Sequence, residues 1–487
     1  MSNEMPITPL PGETVFVSPA ASHDSAYLDP YARNPRYQEL STELRALLFA
    51  GAETAHPTRE NSPESNIDSH LRRPGYKRLL EQLRNGSNSI SMLQHTKYLR
   101  IWITECAPWL DMFDQARTFG LTVPLLAQKS PPVLYAMLAL SARQMERHQS
   151  AVTASRDSLQ LYSEAIGALS SALDAKDPCL VTACIFRCVL EMMSASPREW
   201  RRHLEGCAAL FEASGVHGLS QGVPQAVFWC FARMDLCAAI ISDCTASTVV
   251  PIHRWAVVIT NQLGVGEAEL IRQTFVDQAK TRPDMWANYM VYLCAKACDL
   301  VVNITRHNEL GEENGCDAAN LPAKWNALWE ELQLWHKERP AEMFPMKCFV
   351  GPQEFPCAFY SHYAAISSNQ LFHTACILML EARPNRTSIL REAMYTPLWH
   401  AKCIVGISLA NPHRGCLNNA IQPLYVAGKL FSHREEHLVV IRLLDIIEAG
   451  SGWAARWRIK DLEAAWGYPA GTFLQKSNGA VLLPKEG

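Results

Sequence analysis

The stretch Ser432-His-Arg-Glu-Glu-His-Leu-Val-Val-Ile-Arg-Leu-Leu-Asp-Ile-Ile-Glu-Ala-Gly-Ser-Gly452 decides the fold class, because it contains the signals of one complete helix. Its first four residues have the form of a capping box, in which a serine oxygen accepts from a free backbone N–H and a glutamate reaches back. Gly450 and Gly452 supply the stop. The apolar residues between these signals recur at helical spacing: Leu438, Ile441, Leu444 (or Leu443) and Ile447. The pattern predicts an amphipathic helix with one buried face.

The same helical period continues through most of the chain from about Leu93. Ser196-Pro197-Arg198-Glu199 is a second capping box, with proline at the first helical position. Convincing strands with alternating apolar residues are scarce, and no repeat of fixed length is visible. Two further stretches each place their apolar residues on one helical face: Val133, Leu134, Met137, Leu138 and Ser141, and Leu159, Tyr162, Ile166 and Leu169. The sequence therefore predicts an all-α fold, a large irregular multi-helix domain.

The composition divides the chain into two parts. Residues 1–92 are rich in Pro, Ser, Asn, Glu and Thr, and Gly51–Asp68 has almost no large apolar residue. We expect a flexible, partly disordered N-terminal arm with short helices at Tyr37–Phe49 and Tyr76–Leu83. Residues 93–487 are expected to form the helical domain. A loop-like composition between Asn303 and Leu321 predicts a lobe boundary near 303–321.

Charge and hydropathy exclude several classes of protein. Of the 487 residues, 48% are hydrophobic and 19% are charged, and the formal charge is -3, so nothing suggests a polyelectrolyte. The densest basic cluster, Arg72, Arg73, Lys77 and Arg78, is short and abuts Pro74, which favours a solvated helix start over a nucleic-acid patch. The first 20 residues lack the apolar core of a signal peptide, and no stretch reaches the roughly 18 apolar residues of a membrane span. We expect a soluble intracellular protein with its 16 cysteines reduced.

The cysteine spacing argues against a zinc site. Thiolates that hold structural zinc are commonly paired as Cys-x2-Cys, and that spacing does not occur in this sequence. Other spacings place thiols on one helix face: Cys184 with Cys188, Cys294 with Cys298, and Cys230 with Cys237 and Cys244. Because free cysteine is among the most buried residue types, we interpret these as core positions and predict no metal ligand.

No group of residues predicts catalysis. His433-Arg-Glu-Glu-His437 differs from the zinc-protease helix because Arg434 stands where the glutamate base would be. His362 and His373 fit packing or surface roles better than catalysis. The sequence contains no Gly-x-Ser-x-Gly elbow, no phosphate-binding loop and no dinucleotide motif. We therefore predict no enzyme, no catalytic residue and no cofactor-binding residue.

The 13 tryptophans are the remaining unusual feature. Two groups stand out: Trp325, Trp329 and Trp335, and Trp453, Trp457 and Trp466. A core with extensive aromatic contacts is the favoured interpretation, and we expect the C-terminal group to be core rather than tail. A ligand pocket or partner groove lined with aromatic side chains is the alternative.

Several segments resemble one known family in their order along the chain. Three of these segments lie near the C-terminus: Gln422-Pro-Leu-Tyr-Val-Ala-Gly-Lys-Leu-Phe-Ser-His433, Gly452-Trp-Ala-Ala-Arg-Trp-Arg458 and Asp461-Leu-Glu-Ala-Ala-Trp-Gly-Tyr468. Earlier ones are Tyr98–Asp111, Pro131–Arg143, Glu199–Gly206, Phe228–Asp235, Trp335–Pro340 and Asn369–Ala375. Over roughly residues 93–470 the chain resembles the fungal-specific transcription factor domain, the regulatory region of fungal Zn₂Cys₆ transcription factors.

This resemblance implies an all-helical regulatory region, a nuclear location and control of transcription. It carries over no catalytic residue. The zinc cluster that usually precedes the domain is missing from this sequence. The leading hypothesis is a regulator or co-regulator without the zinc cluster, which binds a small-molecule effector or a protein partner, such as a DNA-binding transcription factor, and reaches DNA only indirectly. One alternative is a metabolite-binding protein or enzyme that reuses the helical scaffold. Another is a gene model that lost an upstream cluster.

Overall fold

The structure is a computed structural model that describes residues 31–55, 90–148, 157–175, 179–194, 197–257, 266–384 and 396–473. Helices dominate these residues, which confirms the all-α prediction. The helices of the first half are α1 Pro35–Ala55, α2 Met92–Ile101, α3 Ala107–Leu110, α4 Val123–Ala127, α5 Pro131–His148, α6 Asp157–Ala175, α7 Leu180–Ser194, α8 Pro197–Ser214 and α9 Val223–Ile241. Short π-helical segments lie at Trp102–Cys106 and Thr118–Thr122.

The second half continues with α10 Glu267–Ala279, α11 Pro283–Leu310, α12 Leu321–Lys337, α13 Tyr363–Glu381, α14 Pro397–Ala410, α15 Arg414–Leu417, α16 Ile421–Gly428, α17 Arg434–Ser451 and α18 Trp457–Ala465. Between α12 and α13 lies a two-stranded antiparallel hairpin, β1 Lys347–Val350 and β2 Pro356–Phe359. Lys347 is opposite Phe359, and Val350 is opposite Pro356. This hairpin is the one sheet among the described residues.

Helix α17 confirms most of the predicted stripe and the stop at Gly452 but corrects the predicted start. Leu438 is only half-buried, and Gly450 lies inside the helix. Ile441, Leu444 and Ile447 are buried. Gly452 caps the helix with a left-handed φ of 78°, a conformation that glycine adopts without steric cost. The residue before the helix is His433 rather than Ser432, and no side chain caps this end. The other predicted capping box begins at Ser196, which lies outside the described residues, although α8 does begin at Pro197.

The N-terminal helix is longer than the predicted Tyr37–Phe49 and packs on the body. Leu40, Leu44 and Leu48 of α1 are buried against α6 and α8. At Gly206 of α8 an added Cβ would lie 2.7 Å from the Leu48 Cβ, so only glycine permits this approach. The predicted helix Tyr76–Leu83 and most of Gly51–Asp68 lie outside the described residues. The division at residue 92 stays a prediction.

A buried polar network holds α1, α6, α7 and α8 together. The Tyr162 hydroxyl donates to Glu191 at 2.6 Å, and the His203 Nε2 lies 2.7 Å from the other oxygen of that carboxylate. Ser41 of α1 contacts the same His203 nitrogen at 3.1 Å. Glu191 is fully buried, so its partners offset the free-energy cost of removing a carboxylate from water.

The loop predicted at residues 303–321 is shorter in the structure. Helix α11 continues to Leu310, and Gly311 caps it with a φ of 68°. Only residues 311–320 separate it from α12. Buried residues on both sides belong to one hydrophobic core. The lobe boundary itself stays a prediction.

Helix α9 is the most apolar long helix of the described chain. Its length and composition would allow it to cross a membrane, but 83% of its apolar window is buried inside the protein. It packs against α7, α8 and α11. Burial on all sides explains its uniform apolar character, since a helix in the centre of a helical body has no solvated face.

The contact between α14 and β2 can be tested at Gly406. An added Cβ there would lie 2.2 Å from the Pro356 carbonyl oxygen, a backbone atom that cannot rotate away. We predict that Gly406→Ala lowers the free energy of unfolding by about 1–3 kcal/mol, because overpacking outweighs the helix propensity that alanine adds. Denaturant unfolding followed by circular dichroism measures this change.

Gly167→Ala in α6 is the matched control. An added Cβ at Gly167 meets no atom within 4 Å, so alanine should raise the free energy of unfolding by about 0.5–1 kcal/mol. Equal effects at the two positions would contradict the close approach of α14 to β2.

Candidate functional site

The sixteen cysteines form no disulfide, and Cys188 and Cys207 have their sulfur atoms 3.4 Å apart in the core. Cys184, Cys188, Cys294 and Cys298 are all buried, as expected for core positions. The predicted shared face of Cys230, Cys237 and Cys244 is partly wrong, because Cys237 is half-buried and Cys244 lies in the turn after α9, which ends at Ile241. Burial raises the pKa of the Cys184 thiol to about 12, so it is protonated at neutral pH. Within the described ranges, no group of three or more His, Cys, Asp or Glu residues could hold a metal ion.

The histidines considered for catalysis have packing roles. The His437 Nε2 lies 3.1 Å from the Phe431 carbonyl oxygen, and its ring stacks on Trp466 at 3.9 Å. His362 accepts from the Ala364 N–H and caps α13. The Nδ1 atoms of His373 and His400 are 2.8 Å apart inside the core. Burial and the neighbouring imidazole hold the pKa of His373 well below its ordinary value, so this ring is neutral at pH 7.

The tryptophans of both groups pack into the body. Indole N–H groups donate to backbone carbonyls from Trp325 to Met379, from Trp335 to Trp286, and from Trp466 to Gly428. Trp453 is buried edge-on against Trp109, with ring centroids 5.8 Å apart. Trp457 is half-buried and donates to the Ala454 carbonyl. These contacts favour the core interpretation over an aromatic pocket.

A different cluster, centred on Arg458, stands out in the C-terminal region. Arg458 is the second residue of α18, and its side chain is fully buried. It donates twice to the Gln422 side-chain oxygen of α16, at 3.1 and 2.7 Å, and once to Asp461 at 2.9 Å. The guanidinium carbon lies 3.6 Å from the centroid of the Tyr425 ring and 4.3 Å from that of the Trp457 ring.

The local sequence explains this geometry. Gln422 and Tyr425 are three residues apart on α16, so both face α18, as Arg458 and Asp461 do in return. Gly428 lets the two helices approach closely, because an added Cβ would lie 2.9 Å from Leu462. Burial raises the pKa of Asp461, and the Arg458 charge opposes that rise.

The cluster extends to the turn that follows α9. Asp243 in this turn has a left-handed φ of 50°, a strained conformation for a residue with a side chain. Its carboxylate accepts from Lys429 at 2.9 Å and contacts the Tyr425 hydroxyl at 3.4 Å. The turn after α9 is therefore tied to α16 through charge as well as through packing.

A small cavity adjoins the cluster between α9, α13 and α16. Its volume open to the centre of a water molecule is about 10 Å³, which is room for roughly one water. The lining residues are Arg233, Leu236, Cys237, Ile240, Leu371, Asn419, Gln422 and Pro423.

The two buried arginines of this region differ in their partners. The Arg458 guanidinium is saturated by Gln422, Asp461 and two aromatic rings. Arg233 donates to the Leu110 carbonyl at 2.9 Å and lies over Phe113, and it makes no ion pair with a described residue. Burial lowers the pKa of Arg233. The contacts of Arg458 hold α16 to α18, whereas Arg233 is one of the residues that line the cavity.

Sequence reasoning missed this cluster. Arg458 and Gln422 are 36 residues apart, and no local spacing links them. The signal that could have found them is an arginine within an aromatic segment, at a position where the helical period requires a buried side chain.

A known protein family matches part of this chain. The family model described as "Fungal specific transcription factor domain" matches residues 97–316, from α2 to the loop after α11. The resemblance inferred from the sequence is confirmed over that span. The Arg458 cluster lies beyond it.

The transcription activator AMTR1 of Alternaria alternata is 23% identical over 329 residues, which cover 57% of this chain and 43% of the relative. The chain thus spans less than half the length of the curated relative that it matches. No solved structure matches the chain significantly.

Removing the Arg458 charge tests the cluster. We predict that Arg458→Met lowers the free energy of unfolding by about 3–5 kcal/mol, because Asp461 and the Gln422 oxygen lose the cation that satisfies them inside the protein. Adding Asp461→Asn to that variant should recover part of the loss. Urea unfolding at neutral pH measures both effects.

Arg442→Met in α17 is the control, since Arg442 is exposed, and it should stay within about 0.5 kcal/mol of the parent protein. If Arg458→Met behaved like this control, Arg458 would not hold α16 to α18.

Proposed function

We propose that this chain is a transcriptional regulator or co-regulator that acts in the nucleus by binding a protein partner through its helical body. The observation that carries the proposal is the match of residues 97–316 to the fungal specific transcription factor domain. The Alternaria relative is a transcription activator, which gives further support.

The proposal assigns DNA contact to the partner. The formal charge of the chain is -3, so the protein as a whole has no general attraction for phosphate backbones. Sequence readout also needs side chains placed at base edges and phosphate contacts that hold them in register. The sequence given contains no Cys-x2-Cys pair that would build the zinc cluster of the family.

A protein partner is favoured over a small-molecule effector by the size of the cavity beside Arg233. Ligand pockets usually measure about 300–1,000 Å³, whereas this cavity admits roughly one water. An effector with a carboxylate or phosphate group is the second candidate. It is favoured by the buried Arg233 cation, and it would require α16 to move away from α9.

The metabolite-binding or enzymatic alternative has less support. Ser41, His203 and Glu191 are in contact, but the serine and the carboxylate share one nitrogen of His203, whereas a catalytic triad uses both ring nitrogens. The scaffold alone does not decide the matter, because one fold hosts unrelated functions.

A tethering experiment tests the proposal. The chain is fused to a heterologous DNA-binding module and expressed with a reporter gene that carries the operator of that module. We predict that the fusion raises reporter transcription, whereas the unfused chain at equal abundance does not, because the helical body supplies regulation and the module supplies DNA contact.

Two fused variants serve as controls. Arg442→Met should retain the parental reporter level, and Arg458→Met should lower it in proportion to its loss of folded protein. A fusion that is folded, nuclear and abundant but leaves transcription unchanged would count against the proposal.

A further inference from the structure

The hairpin between α12 and α13 has one edge joined to the body and one edge in solvent. The Asn411 side chain, just after α14, donates to the Ala358 carbonyl of β2 at 2.7 Å and accepts from the Tyr360 N–H at 2.9 Å. Gly406 of α14 also lies against Pro356. Strand β2 is therefore fixed on both sides, by α14 and by β1.

Strand β1 forms the free edge. All four of its residues are exposed. The Gly351 N–H donates to the Phe355 carbonyl at 2.8 Å. This bond shows which residues of β1 hydrogen-bond to β2 and which point away from it. Because antiparallel partners exchange bonds at every second residue, Phe349 bonds towards β2, while the N–H and C=O groups of Cys348 and Val350 point outwards.

The side chains around this edge are unusually apolar for a solvated surface. Val350 is 76% exposed and Met346 is 68% exposed. Phe344, Phe349 and Phe359 are each more than two-fifths exposed. Native sheets normally protect a free edge with charges, proline or a covering element, and β1 carries only Lys347. An exposed apolar edge of this kind is a surface for another strand.

We propose that the β1 edge is a self-association surface, on which β1 of a second copy of this chain pairs antiparallel to give a four-stranded sheet. An antiparallel edge is self-complementary, since a twofold axis at Phe349 places Cys348 of each copy opposite Val350 of the other. The outward N–H and C=O groups of Cys348 and Val350 in one copy then hydrogen-bond to those of Val350 and Cys348 in the other.

Charge is consistent with the same arrangement. Lys347 is exposed at the start of β1, and Glu354 is exposed in the turn after its end. Reversal of the second strand brings the Lys347 end of each copy towards the Glu354 end of the other. A four-residue strand buries less area than a standard interface, so we expect an equilibrium between monomer and dimer rather than a permanent dimer.

Sedimentation of the purified full chain tests the pairing. We expect the wild-type dimer fraction to rise between about 1 and 100 μM. Val350→Pro removes an outward N–H while leaving the bonds to β2 in place, because proline is tolerated at edge positions whose N–H faces solvent. It should weaken association at least about tenfold.

Val350→Thr is the matched control, because it keeps both the β-branched shape and the N–H. It should stay within about threefold of the wild-type association constant. Circular dichroism and thermal melting check that each variant is folded. A chain that is monomeric throughout the range, or a dimer that Val350→Pro leaves unchanged, would overturn the proposal.

Crosslinking gives a readout that does not depend on the proline variant. Cys348 is the one exposed cysteine of all 16. In the paired strands the two Cys348 residues are offset by two residues along the sheet, which puts their Cα atoms about 8 Å apart, too far for a direct disulfide.

A short bis-maleimide should therefore join two wild-type chains, and Cys348→Ser should abolish the product. Failure of the wild-type protein to crosslink at concentrations where sedimentation detects a dimer would place the interface elsewhere and overturn the proposal. Binding of a strand from an unrelated protein to a strictly monomeric chain would do the same.

Discussion

The burial of the Arg458 charge is the constraint on which the C-terminal half of the structure depends. A guanidinium stays ionised at any ordinary pH, so it can leave water only where hydrogen-bond acceptors and aromatic faces replace its hydration. Gln422, Asp461, Tyr425 and Trp457 provide that replacement. Because these partners lie on α16 and α18, their contacts with Arg458 fix α16 against α18.

The consequences extend to the rest of the body. Helix α16 in turn binds the strained turn after α9 through Asp243, and α9 lies in the apolar centre of the protein. The same arrangement closes the cavity beside Arg233, which leaves the body without room for a metabolite at that point. A helical body that is closed there and has an exposed apolar edge on its hairpin is better suited to bind proteins than small molecules.

The sequence predicts this structure where the determining interactions are local. The stripe of α17 follows from a 3.6-residue period and its stop from a glycine, and Cys184, Cys188, Cys294 and Cys298 are buried as their helical spacing indicates. Prediction fails where partners are distant in sequence. The capping box predicted at Ser432 does not form, because His433 precedes the helix and no side chain caps that end. The hairpin has strands of four residues, too short for an alternation to be recognised, and the link from Arg458 to Gln422 has no local sequence signal.

We propose that this helical body takes part in transcription without reading DNA itself. The most direct measurement is binding of the purified chain to candidate promoter fragments near physiological salt, with random duplex as competitor. The account predicts weak binding that random duplex competes away as well as promoter DNA does, because the chain is slightly acidic and the family zinc cluster is missing from the sequence given. Nanomolar, sequence-selective binding in the absence of a partner would contradict it.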